Sequence, residues 1–402
     1  MASANPSFSI TDLTQRLRWL WLINAAVLPW VVLIGIIPAE MTGNPAWLAI
    51  GYPLFYLGVP LLDRILGQDP NNHEESDVPA LEADPYFKTA LLVSLGGTLL
   101  AWFAAIYYAA WAELSGWGLA ALAVSCMGFI GALNNLGHEM GHKRGKSDRR
   151  AASIALGIAA MPHFNVEHNR GHHRAVATPE DHASSRLGES FYRFILREQP
   201  MTWYRGWKLE ADRLRAQGKS VLSPDNEILP GAILTVLFFT AVGLLFGAKI
   251  LAFVVLTSWW GHMNLSLANY IEHYGLLRDK NENGRYEPPR PQHSWNQNAL
   301  VSNMFTFQLQ RHSDHHAHPS RSYQCLRHFD DVPQLPWGYY EMFLLAYVPP
   351  LWRRVMDQRV LEWADYDLDK TNVLESKRGH YQRIIDQMKR ESGTAAAQTE
   401  SA

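Results

Sequence analysis

The chain has 402 residues, and 36 Lys and Arg against 38 Asp and Glu leave a net charge of −2. That balance argues against a nucleic-acid binder, whose footprint is a concentrated basic surface. Two cysteines, Cys126 and Cys325, are too few for a disulfide scaffold, a Cys-ligated zinc domain or an iron–sulfur cluster. Seventeen histidines and fifteen tryptophans are the unusual counts, and the histidines fall in clusters.

Mean hydropathy is slightly negative because long apolar runs alternate with long polar ones. A bilayer-spanning helix needs about 20 mostly apolar residues. In chain order, Leu17 to Pro38, Ala46 to Leu66, Thr89 to Trp111, Gly116 to Leu136, Ile228 to Leu245 and Ala248 to Tyr270 meet that requirement. Six spans are therefore predicted. The competing reading, buried helices of a large soluble α-protein, asks a chain of this length to bury too many such runs. Pro29, Pro53 and Pro60 lie inside two of the runs, which is tolerable where neighbouring helices re-satisfy the freed carbonyls.

Fifteen Lys or Arg lie between Lys143 and Lys219, whereas the turns predicted at 38–45 and 112–117 have none and the one near 247 has Lys249. The positive-inside rule then predicts that both termini, the 67–88 loop, the 143–227 segment and everything after 271 face the cytoplasm. The first run is too long for a signal peptide and lacks a small-residue cleavage site. The expected architecture is all-α: a polytopic membrane protein with six transmembrane helices under a cytoplasmic helical cap. Residues 1–352 form one membrane domain, with the cap at 137–227 and 271–352. Residues 353–391 are read as a cytoplasmic extension and 392–402 as a disordered tail or linker. The aromatic stretch from Trp337 to Trp352 is read as an interfacial anchor or a cap helix.

Directly after the fourth run stands His138-Glu139-Met140-Gly141-His142. Residues four apart share a helix face, so both imidazoles leave the membrane on one side. Taken alone, this string also reads as an intramembrane zinc protease with Glu139 as base. Two further clusters follow, with His168, His172 and His173 in the first and His312, His315 and His316 in the second. A helical backbone aims all three histidines of each inward. His273 stands by itself at the end of the sixth run. Nine histidines exceed the three or four protein ligands of one zinc, so two metal ions are implied, and imidazole alone does not choose among iron, copper, nickel and zinc. Glu139, Glu167, Glu272 and Asp314 each neighbour a proposed ligand and are read as partners that orient the imidazoles and offset charge. His262, His163 and His293 are read as ordinary core residues.

The strings LGHEMGHK, EHNRGHH, NYIEHYGL and LQRHSDHHAH, in this order and after these runs, resemble the bacterial membrane alkane 1-monooxygenases, a branch of the membrane histidine-box desaturases and hydroxylases. The likeness extends to about Trp352. It implies a di-iron centre under a cytoplasmic cap, and terminal hydroxylation of medium-chain n-alkanes with O2 as cosubstrate. It also implies electrons from rubredoxin, itself reduced by rubredoxin reductase, at the bacterial inner membrane. Box for box, it assigns His138, His142, His168, His172, His173, His273, His312, His315 and His316 as iron ligands. A fatty-acyl desaturase or another histidine-box hydroxylase is the nearest alternative. An alkane has no polar handle, so its site must be an apolar channel from the bilayer. Phe55, Ile130 and Leu133 are its candidate liners, with ordinary helix packing as their competing role. Arg149, Arg150, Arg170 and Arg174 are candidates for docking an acidic electron carrier.

Overall fold

Local chemistry sets the helix boundaries. The computed structural model describes residues 21, 22, 25–27, 29–69 and 72–399; the start of the first predicted span, residues 17–20, lies outside them. Helix α1 (Ala25–Thr42) ends at Gly43, whose φ of 68° is left-handed. A 3-10 turn at Pro45–Ala49 follows, capped by Asn44, whose side chain accepts from Ala46 N. Then come α2 (Gly51–Leu66), α3 (Pro85–Trp111) and α4 (Gly116–Gly141). Asp84 caps α3 through Tyr86 N at 2.9 Å, and Ser115 caps α4 through Gly118 N at 3.1 Å. The polar segment after α4, expected as part of the cap, contains α5 (Lys146–Ile158), three short helical pieces from Phe164 to Ala175 and α6 (Phe191–Ala216). After α7 (Leu229–His273) come α8 (Leu300–Thr306), α9 (His312–Ala317), α10 (Tyr339–Ala346), α11 (Pro349–Trp363) and α12 (Glu375–Thr399). Among the described residues there are only isolated β-bridges and no strand.

Four of these helices, α1, α3, α4 and α7, are long and apolar enough to cross a membrane. The second predicted span differs from expectation. Its first residues form the 3-10 turn, and α2 has 16 residues, about 24 Å at 1.5 Å per residue, short of a bilayer core of about 30 Å. Its last turn serves the cap instead. Asp63 accepts from Val301 N at 2.7 Å and from Ser302 Oγ at 2.6 Å, a carboxylate at the positive end of α8, and Arg64 pairs with Glu341 at 2.6 Å.

The fifth and sixth predicted spans fall in α7, interrupted at Gly247, where φ is 81° and ψ 173°, a region that glycine enters without penalty. The chain reverses there. Thr235 Oγ1 donates to Gly157 O at 2.6 Å, while His262 Nε2 meets Ala159 O. In a straight helix those two residues would stand about 40 Å apart, yet they touch carbonyls two residues apart. The returning half packs closely on α4: a Cβ at Gly261 would lie 2.2 Å from Ile130 Cβ. The turns at one end of the helices meet, with Gly118 against Pro45 and Lys249 Nζ on Leu114 O. The histidine boxes lie at the other end.

The C-terminal segment is stitched to the cap. Leu187 N donates to Asn372 O at 2.8 Å, Leu374 N to Leu187 O at 3.0 Å, and Asn372 N to Gly275 O at 3.0 Å. Trp352 is fully buried against Tyr270 and Tyr274, at 5.0 and 5.2 Å between ring centres, so it packs inside a protein core. The expected boundary at 352 falls inside α11, and the backbone expected to be a linker is helical to Thr399.

Candidate metal centre

The nine predicted histidines converge on two points. His138, His142, His168, His173 and His315 bring one ring nitrogen each within 4.8 Å of one another, and His172, His273, His312 and His316 do the same. The adjacent pairs are split: His172 and His173 serve different groups, as do His315 and His316. Neighbouring residues on a helix diverge by about 100°, so each pair straddles the gap between the groups. Within the third box, His312 and His316, four apart, share a group. In the second box the partners are His168 and His173, five apart.

A change of helix type explains that spacing. Residues His168–His172 form a π-helical turn, with His173 N–H bonded to His168 O. At about 4.4 residues per turn, residues five apart are rotated by only about 50°, against about 140° in an α-helix. His168 and His173 thus face the same point, and His172 is turned toward the other.

The donor set fits metal ions. The Nε2 atoms of His138 and His315 are 3.1 Å apart, those of His138 and His142 3.3 Å, and those of His168 and His173 3.0 Å. In the second group the Nε2 atom of His312 lies 3.3 Å from that of His273 and 3.0 Å from that of His316. Nitrogens about 2.1 Å from one ion and at right angles there stand about 3.0 Å apart. A proton on one Nε2 satisfies one neighbour, whereas His138 and His312 each meet two. Burial, reinforced by surrounding imidazoles, holds His142, His168, His173, His312, His315 and His316 well below the usual histidine pKa, so they present neutral lone pairs. His163, His262, His293 and the other histidines join neither group.

The carboxylates behave differently from expectation, because a residue adjacent to an inward-facing ligand points elsewhere. Glu272 alone of the four touches a ligand: its Oε2 is 3.1 Å from His312 Nε2. Glu139 pairs with Lys143 at 2.8 Å and accepts from Tyr323 N at 3.1 Å, so it stitches α4 to the loop after the third box and is not placed as a protease base. Asp314 holds that same loop through Arg321 at 2.8 Å and Arg327 N at 3.0 Å. Glu167 binds Arg205. The partner of His172 is Asp181, which the sequence reading missed: His172 Nδ1 donates to Asp181 Oδ2 at 2.8 Å, leaving Nε2 for the ion. Arg205 donates to Asp181 Oδ1 at 2.7 Å. Although burial opposes ionisation, His172 and Arg205 hold the Asp181 carboxyl well below the carboxylate range. His273 Nδ1 is oriented by His293 O at 3.3 Å.

An apolar cavity reaches toward the site between the helices. Helix α4 contributes Gly128, Gly131, Ala132 and Asn135 to its wall. From Gly131 this face continues through Asn135 to His138 and His142, at intervals of four, three and four residues. Phe55 lines the cavity, as do Phe305, Tyr339 and Tyr340, and Phe55 meets Phe305 edge-on at 5.7 Å. Ile130 and Leu133 do not line it. Both are fully buried in the helix core, one face round from the cavity stripe. On an all-apolar helix, periodicity cannot say which face is the open one.

Comparison with known proteins agrees with this arrangement. The fatty acid desaturase family model matches residues 115–346, a stretch that includes all four boxes. The chain is 45% identical to alkane 1-monooxygenase 1 of Alcanivorax borkumensis over 92% of its own length and 91% of that protein. It is 45% identical to the alkane 1-monooxygenase of Ectopseudomonas oleovorans, covering 93% of each. With that of Pseudomonas putida it shares 43% over 93% of this chain and 92% of the relative. The chain belongs to the alkane 1-monooxygenase family.

Placed in that family, the basic residues separate. Arg149 and Arg150 are exposed at the start of α5, and Arg174 is exposed beside His173. Arg170 is instead committed to Glu210 at 2.7 Å and Glu227 at 2.6 Å, which removes it from a free docking face. Arg205 and Tyr339, like Asp181, carry no box spacing. Asp181 lies nine residues beyond His172, in a turn no helical period reaches.

Proposed function

We propose that this protein hydroxylates the terminal methyl of medium-chain n-alkanes, using O2 and electrons from rubredoxin, at a di-iron centre on the cytoplasmic side of the bacterial inner membrane. The observation that carries this is the continuity of the α4 face, on which cavity wall and metal ligands follow one another without interruption. The two arms of α7 are read as two passages, and the short α2 makes a sixth only together with the Pro45–Ala49 turn before it, which leaves both termini inside.

The irons, one in each histidine group, would supply O2 activation: one oxygen atom enters a C–H bond, and the other leaves as water with two electrons and two protons. The protein's own share is positioning. Burial contributes about 0.8 kcal/mol per CH2, and a narrow apolar passage presents the chain end first. Secondary C–H bonds, although weaker, are kept out of reach, so geometry decides the regiochemistry. Arg149, Arg150 and Arg174 form the basic surface that receives the acidic carrier.

The decisive experiment combines metal analysis of the purified protein with an assay for 1-alkanol from an n-alkane in the presence of rubredoxin and its reductase. Two irons per chain and terminal alcohol are expected; a single zinc, or a desaturated acyl product with no alkanol, overturns the proposal. A cavity series tests the passage separately. Phe55→Ala should move the preferred alkane toward longer chains, and Ala132→Phe toward shorter ones, in competition assays over a ladder of n-alkanes. Unchanged profiles for both would remove this cavity as the substrate's path.

A further inference from the structure

The two histidine groups are unequal, five imidazoles against four, and the shortfall lies where a carboxylate stands. Glu272 Oε2 is 3.1 Å from His312 Nε2, the same atom that meets His273 Nε2 at 3.3 Å and His316 Nε2 at 3.0 Å. The carboxylate oxygen therefore meets the same ring nitrogen of His312 that faces His273 and His316, and stands at the edge of the four-histidine group. A partner acting from behind would be found at Nδ1, as Asp181 is on His172.

We infer that Glu272 is itself a ligand, the fifth donor of the four-histidine ion. The inference rests on the two-ion reading given above. Three features support it. Glu272 is almost completely buried, where an anion needs a partner of opposite charge, and among the described residues no Lys or Arg pairs with it. Its second oxygen, Oε1, accepts from Tyr339 Oη at 2.9 Å, the kind of outer hydrogen bond that orients a ligating carboxylate. Its backbone is pinned as well, with Glu272 O accepting from Trp295 N at 2.8 Å. Chemically, one anionic oxygen among imidazoles suits ferrous iron and offsets one of the charges that nine neutral ligands leave uncompensated. Tyr339 also lines the apolar cavity, so one hydrogen bond joins the cavity wall to a ligand of the second ion. The two ions would then differ in kind: one is bound by nitrogen alone, the other by nitrogen and oxygen.

The test is anaerobic titration of the purified, metal-free full chain with Co2+, read by visible absorption and by metal retained after gel filtration. Wild type is expected to take up two ions with distinct bands. Glu272→Gln is nearly isosteric and keeps an acceptor for Tyr339, yet it should weaken the second ion by at least about tenfold. Its first ion should keep the wild-type spectrum, which also reports that the variant is folded. Tyr339→Phe should retain both ions and shift only the second ion's band. The inference is overturned if Glu272→Gln binds two ions with wild-type affinity and spectrum, the result expected of a carboxylate that merely accepts a proton from His312. It is equally overturned if Tyr339→Phe leaves the second band unmoved. Wild type taking up fewer than two ions would instead sink the two-ion reading itself.

Discussion

Replacing His315 and His316 one at a time with alanine should remove different ions. The two residues are adjacent, yet His315 stands with His138, His142, His168 and His173, and His316 with His172, His273 and His312. Each variant should retain about one iron per chain, and each should lose activity by more than the roughly 10–100-fold that loss of an outer partner costs. Combining His315→Ala with His138→Ala should leave the retained ion as it is in His315→Ala alone, since both changes strike one group. Combining His315→Ala with His316→Ala should empty both. Iron counted per chain and Mössbauer spectra of 57Fe-loaded protein would check this. Identical spectra for the two single variants would mean that the groups do not correspond to separate ions.

Asp181→Asn should be nearly as damaging, although Asp181 touches no ion. Its carboxylate fixes the His172 tautomer by accepting from Nδ1, and Arg205 ties it in turn to Glu167. The amide can still accept from His172 but loses its charge, and it leaves a largely buried guanidinium less compensated. The four-histidine ion should bind about 10–100-fold more weakly, with turnover falling in proportion and restored in part by excess Fe2+. Because the Asp181 carboxyl is held well below the usual range, it stays ionised in mildly acidic solution. Acid release of iron from the wild type should therefore follow protonation of the imidazole ligands and not of Asp181. Normal retention in Asp181→Asn would show that His172 needs no such anchor.

Eight of the nine grouped histidines were readable from sequence because the boxes repeat at helical spacing, and His273 was readable only through the family resemblance. How they divide between two ions was not. The division turns on a π-helical turn at His168–His172, which involves no unusual residue and depends on backbone hydrogen bonding alone. The carboxylates illustrate the converse. Adjacency to a ligand suggested Glu139, Glu167 and Asp314, but adjacent side chains on a helix point apart, and the anchor of His172 came from a loop. The apolar runs located the long helices well, since length and composition govern bilayer crossing. They could not show that α2 ends in service of the cap, because Asp63 and Arg64 find partners more than two hundred residues away. Nor could they choose Gly131 over Ile130 as a cavity wall, because α4 is apolar on both faces.

The uninterrupted face of α4 has a metric consequence. From Gly128 to His138 is ten residues, about 15 Å along the axis, and an extended hydrocarbon advances about 1.3 Å per carbon over such a distance. On the proposed substrate path, the helix would act as a ruler of roughly a dozen carbons, graduated in turns of about 5.4 Å or four methylenes. A bulky side chain placed one turn nearer the ligands shortens the scale by one division, so related proteins could acquire a different chain-length range through a single residue, with the metal chemistry left untouched.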